Sequence, residues 1–130
     1  MIGFVLIATS AGATGLFEAR AQPSGGMDIV VREVERRPRA SVIEVEINAR
    51  GSSVGGSFFV MCSLRRLALE RGNYHHIVKR NDQPRRGQTL VGFLRGATDD
   101  PSQAGAEFQG LGAAAVLALD QFAQICDATK

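Results

Sequence analysis

Residues 42–49 read VIEVEINA, and this stretch decides the fold. Ile43, Val45 and Ile47 fall on one side of an extended chain, while Glu44, Glu46 and Asn48 fall on the other. Successive side chains of a strand point to opposite faces, so a strict alternation marks a strand with one face buried and one in water. Strands of that kind belong to antiparallel sheets. Upstream, MDIVVREV (residues 27–34) carries a short β-branched run that reads as a second strand. The charged, Pro-containing stretch Glu35–Arg39 suits the turn between the two.

Downstream, Arg50-Gly51-Ser52-Ser53 ends the alternating strand and supplies serines able to cap a helix. GSFFVMCSLRRLALER (residues 56–71) then reads as a largely buried helix. Phe58, Cys62 and Leu69 lie on one side of it and Val60, Leu64 and Leu67 on another. Gly72-Asn73 is its expected stop, because both residue types tolerate the left-handed conformation. Tyr74–Arg80 and Thr89–Arg95 read as two more strands, separated by a turn through Asn81-Asp82-Gln83-Pro84. Asp100-Pro101 is a helix-start signal, and Leu111–Cys126 carries Val116, Leu119, Phe122, Ala123 and Cys126 at helical spacing. The order β-β-α-β-β-α predicts an α+β domain: an antiparallel meander of about four strands with two helices packed on one face.

Length and composition bound this picture. The chain has 130 residues, 45% hydrophobic and 22% charged, which suits one ordinary globular domain and excludes a wholly disordered chain. Ahead of the first predicted strand, IGFVLIATSAGATGLF (residues 2–17) carries no charged side chain. A spanning helix needs about 20 apolar residues, so this run is short for a membrane span and suits the core of a secretory signal. Ala19-Arg20-Ala21 supplies a small-x-small cleavage pattern. The expected division is a leader over 1–21, a linker over 22–26 and a single domain over 27–130. The leader's positive end rests on the amino terminus alone, and the run contains no Cys to accept a lipid. The alternatives are a cytosolic chain whose apolar start is part of the fold, and a leader retained uncleaved as a membrane anchor.

Candidate chemistry is sparse. Gly51–Gly56 (GSSVGG) precedes a helix as a phosphate loop does, but Ser57-Phe58 stands where Lys-Ser/Thr is required. No G-x-S-x-G elbow accompanies the serines. The adjacent His75 and His76 point to opposite faces of a strand and do not suit one metal ion. Glu44 and Glu46 share a solvated strand face. No catalytic residue, metal or cofactor is therefore assigned, and the reading is a non-enzymatic protein. The two cysteines, Cys62 and Cys126, fall on apolar faces of the two predicted helices and are expected within bridging distance. They are either a disulfide or two buried thiols.

Charge distribution gives the best functional lead. From Arg65 to Gly96 there are eight bases (Arg65, Arg66, Arg71, Lys79, Arg80, Arg85, Arg86 and Arg95) against Glu70 and Asp82. From Ala97 to Asp127 there are five acids and no base. Arg65, Arg66, Lys79, Arg80, Arg85 and Arg86 are the candidate binding residues. As one face they would meet an acidic envelope polymer, anionic lipid headgroups or an acidic protein. Nucleic acid is a poor fit, since Tyr74 and Phe93 are the segment's only aromatics and form no stacking platform. A cytosolic nucleic-acid-binding module remains the competing function.

Finally, VIEVEINARG, SLRRLALERGNYHHIVKR and TLVGFLRG together resemble a family of small bacterial envelope lipoproteins of unassigned function. Leu64, Arg65, Leu69, Glu70, Gly72 and Tyr74 carry the match, which spans roughly Ile29 to Arg95. The resemblance implies an envelope location and supplies no catalytic residues. The lipid-accepting Cys of that family is missing here.

Overall fold

The computed structural model of the protein describes residues 15–21, 26–50 and 53–128. Strands β1 (Glu18–Arg20), β2 (Met27–Arg37), β3 (Ala40–Arg50), β4 (His76–Asn81), β5 (Gln88–Leu94) and β6 (Leu117–Ala118) form one antiparallel sheet in the order β1-β2-β3-β5-β4-β6. Helix α1 (Ser53–Gly72) connects β3 to β4, and the short α2 (Ala123–Ala128) closes the described chain. The fold is α+β with an antiparallel sheet and two helices, but the sheet has six strands rather than four.

It is also not a simple meander. β3 and β4 both run antiparallel to β5, which lies between them, so they are parallel to each other. Parallel strands need a long crossover, and α1 supplies it. The six-residue loop 82–87 after β4 then returns β5 into the gap.

The two sheet faces are covered differently. On one face Ile29, Val31, Ile43, Ile77, Val91 and Phe93 pack against Leu64, Leu67 and Ala68 of α1. The buried helix stripe, Leu64-Leu67/Ala68-Arg71, follows the three-to-four residue spacing of one face. The stop at its end is as expected: Asn73 takes a left-handed φ of 58° and Tyr74 N–H donates to the Ala68 carbonyl. On the other face Val42, Val78, Leu90 and Leu94 meet Ala104 and Phe108. Gly92 permits this contact, since a Cβ there would stand 2.6 Å from Ala104 Cβ and 2.8 Å from Phe108 Cε2.

The covering segment on that second face corrects the expected long helix over 111–126. Residues 101–122 contain four 3-10 turns (Pro101–Ala104, Ala106–Phe108, Ala113–Ala115 and Leu119–Phe122) and strand β6, and only 123–128 is α-helical. Asp100 does cap as expected, its Oδ1 accepting from Ser102 N–H at 3.0 Å, but the element it starts is a 3-10 turn. Within the expected span Gly112, Val116 and Ala118 are extended (ψ −177°, 126° and 108°), conformations no helix continues through.

β1 lies inside the stretch assigned to the leader, yet Phe17, Ala19 and Ala21 are buried in the main core at 5%, 4% and 4% exposure. Ala21 N–H donates to the Ile29 carbonyl and Glu33 N–H to that of Phe17. The folded unit therefore begins upstream of residue 27. Small-x-small spacing is also the inward alternation of a short edge strand, so one pattern served two readings. Residues 22–25 of the expected linker lie outside the described residues. No helix among the described residues is long and apolar enough to cross a membrane.

Candidate functional site

β3 outruns its neighbour. Its pairing with β2 continues to Arg50, but its pairing with β5 ends at Glu44–Gln88, where the β4–β5 hairpin turns back. Among the described residues, 45–49 therefore have one paired and one open side. Val45 and Ile47, predicted to point inward with Ile43, are 37% and 42% exposed. Beside them opens a cleft of about 290 Å³ lined by Ile29, Ile47, Gly56, Ser57, Val60, Met61 and Lys79. It lies between the overhanging end of β2–β3 and the first half of α1. Its walls are apolar, with Lys79 as the charged group. That volume is at the small end for a ligand pocket and suits a side chain or a short aliphatic segment.

The structure splits the predicted basic set. Arg65 turns toward α2 and pairs with Asp127 at 3.2 Å, its side chain 16% exposed. Arg66 lies over the Phe17 ring, 5.3 Å from its centroid. Arg80 donates from Nε to the Glu107 carbonyl at 2.9 Å. Arg71 is buried, and Arg95 lies over Tyr74 at 5.4 Å. The six candidates thus form no single face. Three remain at one place: Lys79 in the cleft, and Arg85 and Arg86 exposed in the adjoining hairpin. That hairpin is shaped by Asp82, whose Oδ1 accepts from Gly87 N–H at 2.9 Å, and by Gln88 N–H donating to the Arg85 carbonyl.

The densest polar cluster lies elsewhere and is structural. Glu33 and Ser41 occupy helix-facing strand positions where the pattern calls for apolar residues. Glu33 accepts from Arg36 Nε and Nη2 at 2.9 and 2.7 Å, from Ser41 Oγ at 2.6 Å and from Phe17 N–H at 3.0 Å. Burial alone pushes this carboxyl upward, but the Arg36, Ser41 and Phe17 hydrogen bonds outweigh it and hold Glu33 below the usual carboxylate range. Arg71, from the last turn of α1, donates to Ser41 Oγ and to the carbonyls of Arg37, Pro38 and Ala40. Burial, with Arg36 nearby, lowers its pKa. Every member has a partner, so the cluster ties β1, the β2–β3 hairpin and α1 together.

His75 Nδ1 lies 3.0 Å from Asp120 Oδ1, which the histidine holds below its ordinary value. His76 Nδ1 is buried without a hydrogen-bond partner among the described residues. Among the described residues no cluster of three or more His, Cys, Asp or Glu side chains is placed to hold a metal. Of the phosphate-loop-like stretch, Gly55 and Gly56 are in α1, while Gly51 and Ser52 lie outside the described residues. Cys62 and Cys126 are joined in a disulfide with Cα atoms 5.5 Å apart, tying α2 to α1.

Sequence reasoning missed the cleft because its lining comes from four elements, none of which carries a motif. The signal that points to it is the length of the VIEVEINA alternation, which exceeds that of the TLVGFL strand beside it. Compared with protein-family models, curated proteins and solved structures, the chain matches none.

Proposed function

We propose that this chain is an exported, non-enzymatic protein that binds an acidic partner at the end of the sheet carrying Lys79, Arg85 and Arg86. The observation that carries the reading is the open apolar cleft with Lys79 in its wall, beside a hairpin whose two arginines have no ion-pair partner among the described residues. The other bases of the segment are committed to the fold. An acid arriving at this end meets cations not already neutralised. Export is supported by the apolar stretch before Phe17 and by the disulfide, a bond that persists in oxidising compartments. The resemblance to envelope lipoproteins agrees with that location. Because β1 belongs to the sheet, processing on this reading falls ahead of Phe17.

The test is retention on immobilised polyglutamate at rising salt. The parent should elute progressively earlier, since the Debye length falls from about 10 Å at 0.1 M to about 3 Å at 1 M. The triple variant Lys79→Ser, Arg85→Ser, Arg86→Ser should lose retention and keep its melting temperature. Arg65→Ser should stay retained. Equal retention of the triple variant sinks the proposal. Tighter binding to a single-stranded oligonucleotide than to polyglutamate favours the cytosolic nucleic-acid reading instead.

A further inference from the structure

The open side of β3 and the cleft beside it share one geometry. Backbone donors and acceptors on the unpaired side of residues 45–49 have no strand partner among the described residues, because the pairing with β5 ends at Gln88. An unpaired strand side is a template for an added strand. On the helix-side face of this segment stand Val45 and Ile47, with Ile29, Val60 and Met61 forming the cleft behind them. A strand laid along the open side places every second side chain on that face, next to Ile47 and over the cleft mouth.

Charge then selects the incoming chemistry. Lys79 shares the helix-side face of β4 with Ile77, and no carboxylate among the described residues pairs with it. Glu44 and Glu46 project from the opposite face, where Glu44 accepts from Gln88 Nε2 at 2.8 Å and Glu46 pairs with Arg32 at 3.4 Å. An acid at the hairpin end of an added strand's helix-side face is the one nearest Lys79, which stands level with Val91 and Ser41. On the far face an acid meets two carboxylates. The geometry points to an extended peptide as the acidic partner, adding as a strand to β3 residues 45–49, with an apolar side chain in the cleft and a carboxylate on Lys79. This inference rests on the reading of the basic end given above. A second copy of the chain is the poorer occupant: paired antiparallel about Ile47, it sets Glu46 opposite Asn48 and brings no acid to Lys79.

The probe follows from the faces. Fluorescein-labelled Thr-Val-Thr-Val-Thr-Glu-Thr-Glu presents valine and glutamate on one side and neutral threonine on the other. Fluorescence anisotropy at about 50 mM salt, where screening is weak, should show saturable binding. Replacing the two central threonines by proline removes N–H donors, and replacing glutamate by lysine reverses the charge. Each should weaken binding by about tenfold or more. Ile47→Asp should do the same, and Lys79→Gln, which leaves the strand intact, should weaken it about fivefold. Absence of saturable binding overturns the inference, as does equal binding of the proline peptide or full displacement by decanoate, which cannot add a strand. A concentration-dependent dimer dissociated by Ile47→Asp assigns the edge to a second copy and likewise overturns it. Retention on polyglutamate with no response to the peptide sinks strand addition and leaves the basic-end reading standing. Loss of both sinks both.

Discussion

Glu33 shows how one buried residue can hold three elements. Its carboxylate is fully buried and accepts from Phe17 N–H just ahead of β1, from Arg36 and from Ser41, while Arg71 lies 3.9 Å away. Glu33→Gln keeps the shape but removes the charge that balances Arg36 and Arg71. Breaking a buried pair from one side costs about 3 kcal/mol or more, so the variant should unfold at markedly lower urea at pH 7. The sign with pH follows from the lowered pKa. A carboxyl whose folded value lies below its unfolded value stabilises the fold above the unfolded pKa, and that stabilisation is lost as pH falls through the folded value. The gap between parent and Glu33→Gln should therefore narrow below about pH 4.3, the ordinary Glu value. A gap unchanged from pH 7 to pH 3 in urea titrations would show that the charge is immaterial. Nothing in MDIVVREV announces this role: alternation puts Glu33 on the inner face with Ile29 and Val31, and only the approach of Arg71 from a distant helix makes that position tolerable.

At the scale of elements, the local signals that worked were those with a local cause. The β3 alternation, the Gly72-Asn73 stop and the Asp100 cap each depend on a few neighbouring residues, and each is found. The C-terminal helix failed because apolar spacing in an Ala-rich stretch fits several conformations, and extended backbone at Gly112, Val116 and Ala118 breaks it into 3-10 turns. The scattering of the basic segment was illegible for a related reason. Arg65 and Arg66 are adjacent in sequence, yet a helix turns them to different neighbours, Asp127 and Phe17. The two cysteines, expected within bridging distance from their apolar helical faces, are indeed joined, although the second helix is shorter than its spacing suggested. Their bond spans a sequence separation of 64, which the chain-entropy relation values at about 4 kcal/mol. Cys62→Ser with Cys126→Ser should lower unfolding stability by about that amount. Hydrogen exchange should rise first in residues 117–128, which the bond anchors beside the buried Leu119. A double variant as stable as the parent would mean that 3-10 and α2 packing suffices without the staple.

For the whole molecule, the decisive question is where the working chain begins. β1 closes one edge of the sheet, and Phe17 fills the core beneath Arg66. A chain starting at Gln22 lacks the Phe17 ring, the N–H that Glu33 Oε1 accepts at 3.0 Å and the pairing of β1 with Val30–Arg32. Truncating a buried Phe costs about 3–5 kcal/mol, against a total of about 5–15 kcal/mol for a domain. Compared with a chain starting at Gly15, the shorter one should melt far lower or fail to fold, and the exposed β2 edge should promote aggregation. N-terminal sequencing of the protein from its native host should find a start ahead of Phe17. The two measurements constrain each other. If the chain from Gln22 is as stable as the chain from Gly15, β1 is dispensable and cleavage after Ala21 returns as the processing site. If instead the shorter chain collapses while the native protein is found to begin at Gln22, the sheet edge must be completed by another strand, and the proposed strand-adding partner would have a second place to bind.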